Sequence, residues 1–252
     1  MTEQRLGLRI IRYDPETYDS SETREYEVPT RDSLTLLDAL VSIHEEQDSS
    51  LAIRYSCRGG FCGACGVQVN GLPVLACRTR VSSLDCNGSP VEIAPLQNHP
   101  VIRDLVADFD PTFLTLGAGE PWIQSDEGSP GSGMDSDMTQ EEVDRLGRSQ
   151  ACISCGLCDA AVPHAHVSAG FVGPAALVRE FRLAADVRDG SDRDRLERVN
   201  TSGGIWDCDP DNSWDDACPV GIDPANKIEL LREASIANKI GGRKRVESET
   251  AA

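Results

Sequence analysis

Four cysteines, Cys57, Cys62, Cys65 and Cys77, stand in YSCRGGFCGACGVQVNGLPVLAC at the spacing C-x4-C-x2-C-x11-C. Three of them crowd one short loop, and Gly59, Gly60, Gly63 and Gly66 are interleaved with them. Glycine permits positive φ and close approach of the backbone to a bound group. A loop built this way wraps a small inorganic core and turns amide N–H groups towards its sulfurs. Asn70-Gly71 between apolar runs is the strongest short hairpin signal, and the second strand of that hairpin returns Cys77 as the fourth thiolate. The spacing fits a [2Fe-2S] cluster of the plant type, in which two ferric ions and two sulfides take four thiolates. A zinc site pairs one C-x2-4-C knuckle with another, which the Cys57–Cys62 interval and the lone Cys77 do not supply.

A second group, Cys152, Cys155 and Cys158, reads C-x2-C-x2-C in ACISCGLCDAAVP. Such a run continues x3-C-P in bacterial ferredoxins. Here Val162 stands where that cysteine is expected, ahead of Pro163, and an isopropyl group offers iron no lone pair. Three thiolates need a distant fourth to hold a cubane. Cys218, directly before Pro219, is the first candidate and Cys208 the second. A zinc site of the three cysteines with His164 or His166 is the competing reading.

Acidic residues number 42 against 24 basic ones, a formal net charge of −18. Nucleic-acid binding needs the opposite sign. Adhesion to anionic lipid through the chain's own charge is disfavoured for the same reason. No apolar run approaches the length of a membrane span. The first residues, MTEQRLGLRIIRY, lack the pattern of a secretory or transit segment. The ten cysteines are therefore expected in a reducing compartment, where clustered thiols point to metal. Among the basic residues only Lys227, Lys239 and Lys244 are lysine, an arginine bias in keeping with a GC-rich bacterial genome.

The expected organisation is α+β. Residues 6–13 and 24–29 alternate as a hairpin. Leu34, Leu36, Leu37, Leu40 and Val41 form a helical stripe within 33–46, with Ser33 as its N-cap. Val91–Ala94 reads as one more strand. The Gly/Ser/Pro/Asp-rich stretch 117–138 reads as a linker or surface loop. After it, Thr139 and Glu142 form a capping box. Leu177, Val178, Phe181 and Leu183 mark a helix over 174–188. Asp223-Pro224 opens a last helix that Gly241-Gly242 stops. The division expected is thus 1–116 as a ferredoxin-like unit, 117–138 as linker, 139–240 as a helical [4Fe-4S] unit and 241–252 as a disordered tail.

Taken in order, the first strand ending IRYDPET, LTLLDALVSI, YSCRGGFCGACGVQVNG, CISCGLC, VGPAALVREFRLAADVRD and ACPVGIDP resemble the iron–sulfur subunit of succinate dehydrogenase and fumarate reductase, from about Leu6 to Lys239. The resemblance implies an N-terminal ferredoxin-like β-grasp domain and a C-terminal α-helical ferredoxin-like domain. It implies [2Fe-2S] on Cys57, Cys62, Cys65 and Cys77, and [4Fe-4S] on Cys152, Cys155, Cys158 and Cys218. It implies electron transfer from the FAD of a dicarboxylate dehydrogenase subunit towards quinone at a membrane anchor. The expected setting is the cytoplasmic face of the bacterial inner membrane, with attachment through those partners. The same subunit serves fumarate reductases. A different flavoprotein acceptor such as a heterodisulfide is disfavoured by the absence of Cys-Cys-Gly repeats, and a zinc-stabilised adaptor is the rival from outside redox chemistry.

The chain departs from its relatives at the third, [3Fe-4S], centre. The matching positions here are Val162, Cys208 and Trp214, so no [3Fe-4S] cluster is expected in this chain and Cys208 is left as a remnant. Trp206 and Trp214 are expected to pack the space that centre vacates. His164 and His166 stand where relatives carry tryptophans near quinone, and are read as surface contacts to an anchor or as quinone-facing donors. Cys86 lies off every ligand pattern and reads as a passive thiol. Arg58 and Arg78, each next to a cluster cysteine, are placed to offset cluster charge.

Overall fold

The computed structural model describes residues 5–17, 21–84, 89–124, 138–164, 167, 170–208 and 215–239. Cys86, His166, Trp214, the middle of the 117–138 stretch and Gly241-Gly242 with the tail after them lie outside the described residues. The chain forms two compact units, one of Met1–Phe109 with Ile153–Ala161, the other of Asp110–Cys152 with Val162–Ala252.

The first unit is built on a five-stranded mixed sheet. β1 (Arg5–Arg12) pairs antiparallel with β2 (Glu22–Pro29), so the expected hairpin forms. α1 (Leu36–Ser42) follows and runs into a π turn at Ile43–Gln47. β3 (Gly66–Val69) and β4 (Leu72–Leu75) make the Asn70-Gly71 hairpin, with φ of 48° and 82° at its two tip residues. Positive φ at both tip positions is what a two-residue turn matched to strand twist requires. β5 (Val91–Ala94) joins the two hairpins, parallel to β1 and antiparallel to β3, giving the order β2-β1-β5-β3-β4. Leu8, Ile10, Val28, Val91 and Ile93 are fully buried, as the inward phase of alternating strands should be. β6 (Val101–Arg103) and β7 (Val106–Ala107) form a small separate ribbon.

α1 is capped by Thr35 and not by Ser33. The Thr35 hydroxyl accepts the Asp38 N–H at 3.1 Å and the Asp38 carboxylate accepts the Thr35 N–H at 3.0 Å. Three residues after Ser33 stands Leu36, which returns no such bond. With the start moved, Ala39 and Ile43 complete the buried face, while Leu34 and Val41 are only half-buried.

The second unit is helical. α2 (Asp110–Ala118) lies outside the elements the sequence signals and begins within 1–116. α3 (Gln140–Leu146) starts at the expected Thr139–Glu142 box. α4 (Leu157–Ala161), the short helix that carries Cys158, belongs to the first unit. α5 (Pro174–Ala184) buries Leu177, Val178, Phe181 and Leu183 as expected, but stops before residue 188. There the Asp186 carboxylate takes the Arg188 N–H at 3.1 Å and its guanidinium at 2.8 and 2.7 Å, which turns the chain away. α6 (Asp192–Val199) carries no helical stripe that the sequence signals, since Leu196 and Val199 are its only apolar anchors. α7 (Pro224–Lys239) opens at Asp223, whose carboxylate accepts the Asn226 N–H at 3.0 Å. The helical part and the mixed sheet together are the expected α+β class.

Candidate functional site

Strand register assembles the first cysteine group. β3 begins at Gly66, directly after Cys65, and pairs with Leu75 at the end of β4. One residue further out, the Ala76 N–H donates to the Cys65 carbonyl at 3.0 Å. The Cys77 N–H then lies 3.5 Å from Cys65 Sγ. α1 fixes the far side, with Leu37 N–H on the Ala76 carbonyl at 3.0 Å and Leu36 N–H on the Thr79 carbonyl at 2.7 Å. Cys77 thus arrives just beyond the strand and not within it.

The four thiols separate into an exposed pair and a buried pair. Cys57 and Cys62 are exposed neighbours that influence each other's thiols, and Cys65 and Cys77 form the corresponding buried pair. Cys57 Sγ accepts the Gly59 N–H at 3.4 Å and the Phe61 N–H at 3.3 Å. These two amides, with the Cys62 thiol, bring the Cys57 thiol down to about 6. Burial pushes Cys65 up to about 12, with Cys77 and Cys62 as further anionic neighbours that raise it. Positive charge brought to the buried pair, as by the ferric ion it would ligate, offsets that penalty. Amides aimed at one sulfur and thiols grouped in twos fit a [2Fe-2S] core, where each iron takes two protein thiolates.

Only two of the four interleaved glycines use positive φ, Gly60 at 80° and Gly63 at 75°. Arg58 supplies a third left-handed residue at 53°. Gly59 and Gly66 serve by lacking a side chain, since a Cβ on Gly66 would stand 2.8 Å from Leu96 Cδ1. Arg78 lies across Gly60, its Cδ 2.5 Å from where a Cβ would be, whereas Arg58 is drawn over the Tyr55 ring at 4.9 Å.

The second cysteine group is divided between the units. Cys155 and Cys158 belong to the first, where a Cβ on Gly63 would be 2.7 Å from Cys155 Cβ. Positive φ at Ser154 and Gly156, 52° and 69°, turns the chain on either side of Cys155. Cys152 belongs to the second unit and ends its 3-10 turn, with its N–H on the Ser149 carbonyl at 3.3 Å. Cys218, in the same unit, is half-buried and its Sγ accepts the Ile222 N–H at 3.3 Å. Cys208 is 1% exposed and its carbonyl accepts from Arg232. Val162 is as deeply buried. His164 is exposed.

Trp206 fills no void. It is 45% exposed, with its indole N–H on Asn200 Oδ1 at 2.7 Å, because that bond holds the ring at the surface. The amide donors at Phe61 and Ile222 were invisible to sequence reasoning, since every residue but proline carries the same N–H. Among the described residues no three His, Cys, Asp or Glu side chains converge on one ion's position.

Residues 7–114 match the family described as a 2Fe-2S iron-sulfur cluster binding domain. Over 90% of its length the chain is 35% identical to the fumarate reductase iron-sulfur subunit of Mycobacterium tuberculosis, covering 92% of that protein. It is 34% identical to the corresponding Escherichia coli subunit, with 89% and 90% covered. It is 32% identical to a mitochondrial succinate dehydrogenase iron-sulfur subunit of Oryza sativa, with 90% and 81% covered. In three dimensions it is similar to a chain of the Mycobacterium smegmatis Sdh1 complex in the apo form, with a TM-score of 0.83 at 28% identity, over 95% of this chain and 98% of that one.

Proposed function

The chain belongs to the family of iron–sulfur subunits of succinate dehydrogenase and fumarate reductase, and from that membership we propose that it is the wiring of the oxidoreductase and not its catalyst. Its role is electron transfer in complex II. We assign [2Fe-2S] to Cys57, Cys62, Cys65 and Cys77, and [4Fe-4S] to Cys152, Cys155, Cys158 and Cys218. Bound there, the two clusters supply one-electron steps between two-electron carriers. The chain's own part is to hold thiolates, aim amides at them and keep water from the buried pair. The Gly59 and Phe61 amides favour the thiolate of Cys57, and the Ile222 amide donates to Cys218 Sγ.

No third, [3Fe-4S], cluster belongs in this chain on this reading. Val162 has no lone pair, and neither does the indole ring of Trp214 offer one to iron. Electrons leaving the second cluster then pass to quinone directly, or to a centre in another subunit. The partners proposed are a flavoprotein subunit holding FAD and the dicarboxylate, and a membrane anchor with quinone. Among the described residues no helix is long and apolar enough to cross a membrane. Attachment at the cytoplasmic face of a bacterial inner membrane is therefore assigned to the anchor. Along the sequence, the proposed [2Fe-2S] ligands fall within 1–116 and the proposed [4Fe-4S] ligands within 139–240, on either side of 117–138.

The pairing of Cys57 with Cys62 and of Cys65 with Cys77, under amides aimed at Cys57 Sγ, carries this reading. Metal and sulfide analysis with visible absorption tests it: iron with acid-labile sulfide is expected, and zinc without either overturns it. Succinate oxidation is the direction proposed. Fumarate reduction uses the same wiring, and the relatives at 35% and 34% identity carry that name. Comparing succinate-to-quinone with quinol-to-fumarate turnover in the intact complex decides between them.

A further inference from the structure

In the first unit, the short turn Leu96 to His99 meets the segment carrying Cys155 and Cys158. Leu96 and Leu157 both press on Gly66, at 2.8 and 3.3 Å from where its Cβ would be. Asn98, left-handed at φ 62°, donates Nδ2–H to the Asp159 carbonyl at 2.9 Å, directly after Cys158. His99 meets the middle of the same segment. Its Nδ1 is 2.9 Å from the Gln97 carbonyl, which can only accept, so Nδ1 carries the proton. The ring packs on Phe109 with centroids 4.7 Å apart. Its other nitrogen, Nε2, lies 2.9 Å from where a Cβ on Gly156 would stand. His99 is 8% exposed, and among the described residues Nε2 has no hydrogen-bond partner.

A buried polar atom without a partner is costly and uncommon. A phenylalanine would fill the same ring-shaped slot against Phe109 without that cost. Shape therefore does not account for the imidazole, and what it adds is a fixed dipole against Gly156, between two of the proposed thiolates. We propose that Asn98 and His99 are positioning residues of the second cluster, Asn98 fixing the Cys158 end of the turn and His99 setting the electrostatics at its middle. Groups behind the ligands orient them and tune the metal centre. This inference rests on the assignment of Cys155 and Cys158 as [4Fe-4S] ligands.

The test is an EPR-monitored redox titration of the intact complex with His99→Phe, His99→Gln and Asn98→Gly. His99→Phe keeps the ring and removes both nitrogens. Asn98→Gly keeps the positive φ and removes the amide. Each is expected to move the midpoint potential or g values of the [4Fe-4S] signal while the [2Fe-2S] signal titrates as in the parent. His99→Gln, which restores an amide near Nε2, is expected to return the signal towards the parent's. A [4Fe-4S] signal unchanged in both His99→Phe and Asn98→Gly overturns the proposal. So does a joint shift of both clusters, which would mark general loosening of the unit. A parent complex with no [4Fe-4S] signal at all overturns the ligand assignment beneath it.

Discussion

Gly63 and Cys155 are in contact: a Cβ on Gly63 would stand 2.7 Å from Cys155 Cβ and 2.8 Å from its Cα. Gly63 lies between Cys62 and Cys65 in the loop proposed to hold [2Fe-2S], and Cys155 is a proposed [4Fe-4S] ligand. The two ligand segments of the first unit therefore meet without a side chain between them. Electron tunnelling weakens steeply with distance, so on the proposed ligand assignment a glycine here would serve the relay as well as the loop.

Gly63→Ala meets both backbone strain, at φ 75°, and the Cys155 clash. Gly71→Ala meets strain alone, at φ 82° with nothing within 4 Å. Gly71→Ala is expected to cost about 1–2 kcal/mol. Gly63→Ala adds overpacking and is expected to cost about 3 kcal/mol or more. Denaturation followed by loss of iron–sulfur absorbance checks the order, and equal losses would show that the contact with Cys155 is not tight.

Cys218→Ser is expected to abolish the [4Fe-4S] spectrum and leave [2Fe-2S] in place. Cys208→Ser is expected to leave both. The distinction follows from Cys218 Sγ already accepting the Ile222 amide at 3.3 Å, while Cys208 sits 1% exposed. Iron content and EPR of the two variants check it, and the reverse result reassigns the fourth ligand to Cys208.

Arg12 is 4% exposed and is held by Asp104 at 2.9 Å, Asp48 at 2.6 Å, Tyr26 at 2.7 Å and Ser50 at 3.0 Å. Asp104 also takes the Tyr13 and Ala52 amides at 3.0 and 2.7 Å. Asp104→Ala strands these donors and part of the Arg12 charge, with an expected cost of about 3–5 kcal/mol. The midpoint of chemical denaturation measures it. A cost below about 1 kcal/mol, as for a surface pair, would mean that water replaces the carboxylate.

Strands and the first cysteine loop were legible because their signals are local. Alternation, Asn70-Gly71 and C-x4-C-x2-C each act within a short window. Three errors share one cause, which is that a side chain's partner lay beyond that window or competed within it. Thr35 displaced Ser33 because Asp38 stands at the right offset for it alone. α5 ended early because Asp186 captured Arg188. Ile153–Ala161 groups with the first unit, where Gly63, Gly66, Asn98 and His99 meet it, and tertiary packing of that kind leaves no periodic trace.

Glu180 gives a pH dependence with a definite sign. Burial pushes its carboxyl above the ordinary value, against the pull of Arg198 and Arg195. A carboxyl raised on folding contributes stability that is complete below its unfolded pKa and is lost as pH rises through the folded one. Tm is therefore expected to carry a component that declines upward from the ordinary glutamate range, and Glu180→Gln is expected to lack it. Tm of both proteins across that interval is the measurement, and parallel curves would place the titration elsewhere.

The most direct measurement is iron per chain together with EPR of the intact complex, oxidised and then dithionite-reduced. One [2Fe-2S] and one [4Fe-4S] give about six irons per chain, with both signals on reduction and no [3Fe-4S] signal from this chain when oxidised. About nine irons, with an oxidised-state [3Fe-4S] signal lost on Cys208→Ser, would contradict the two-cluster wiring.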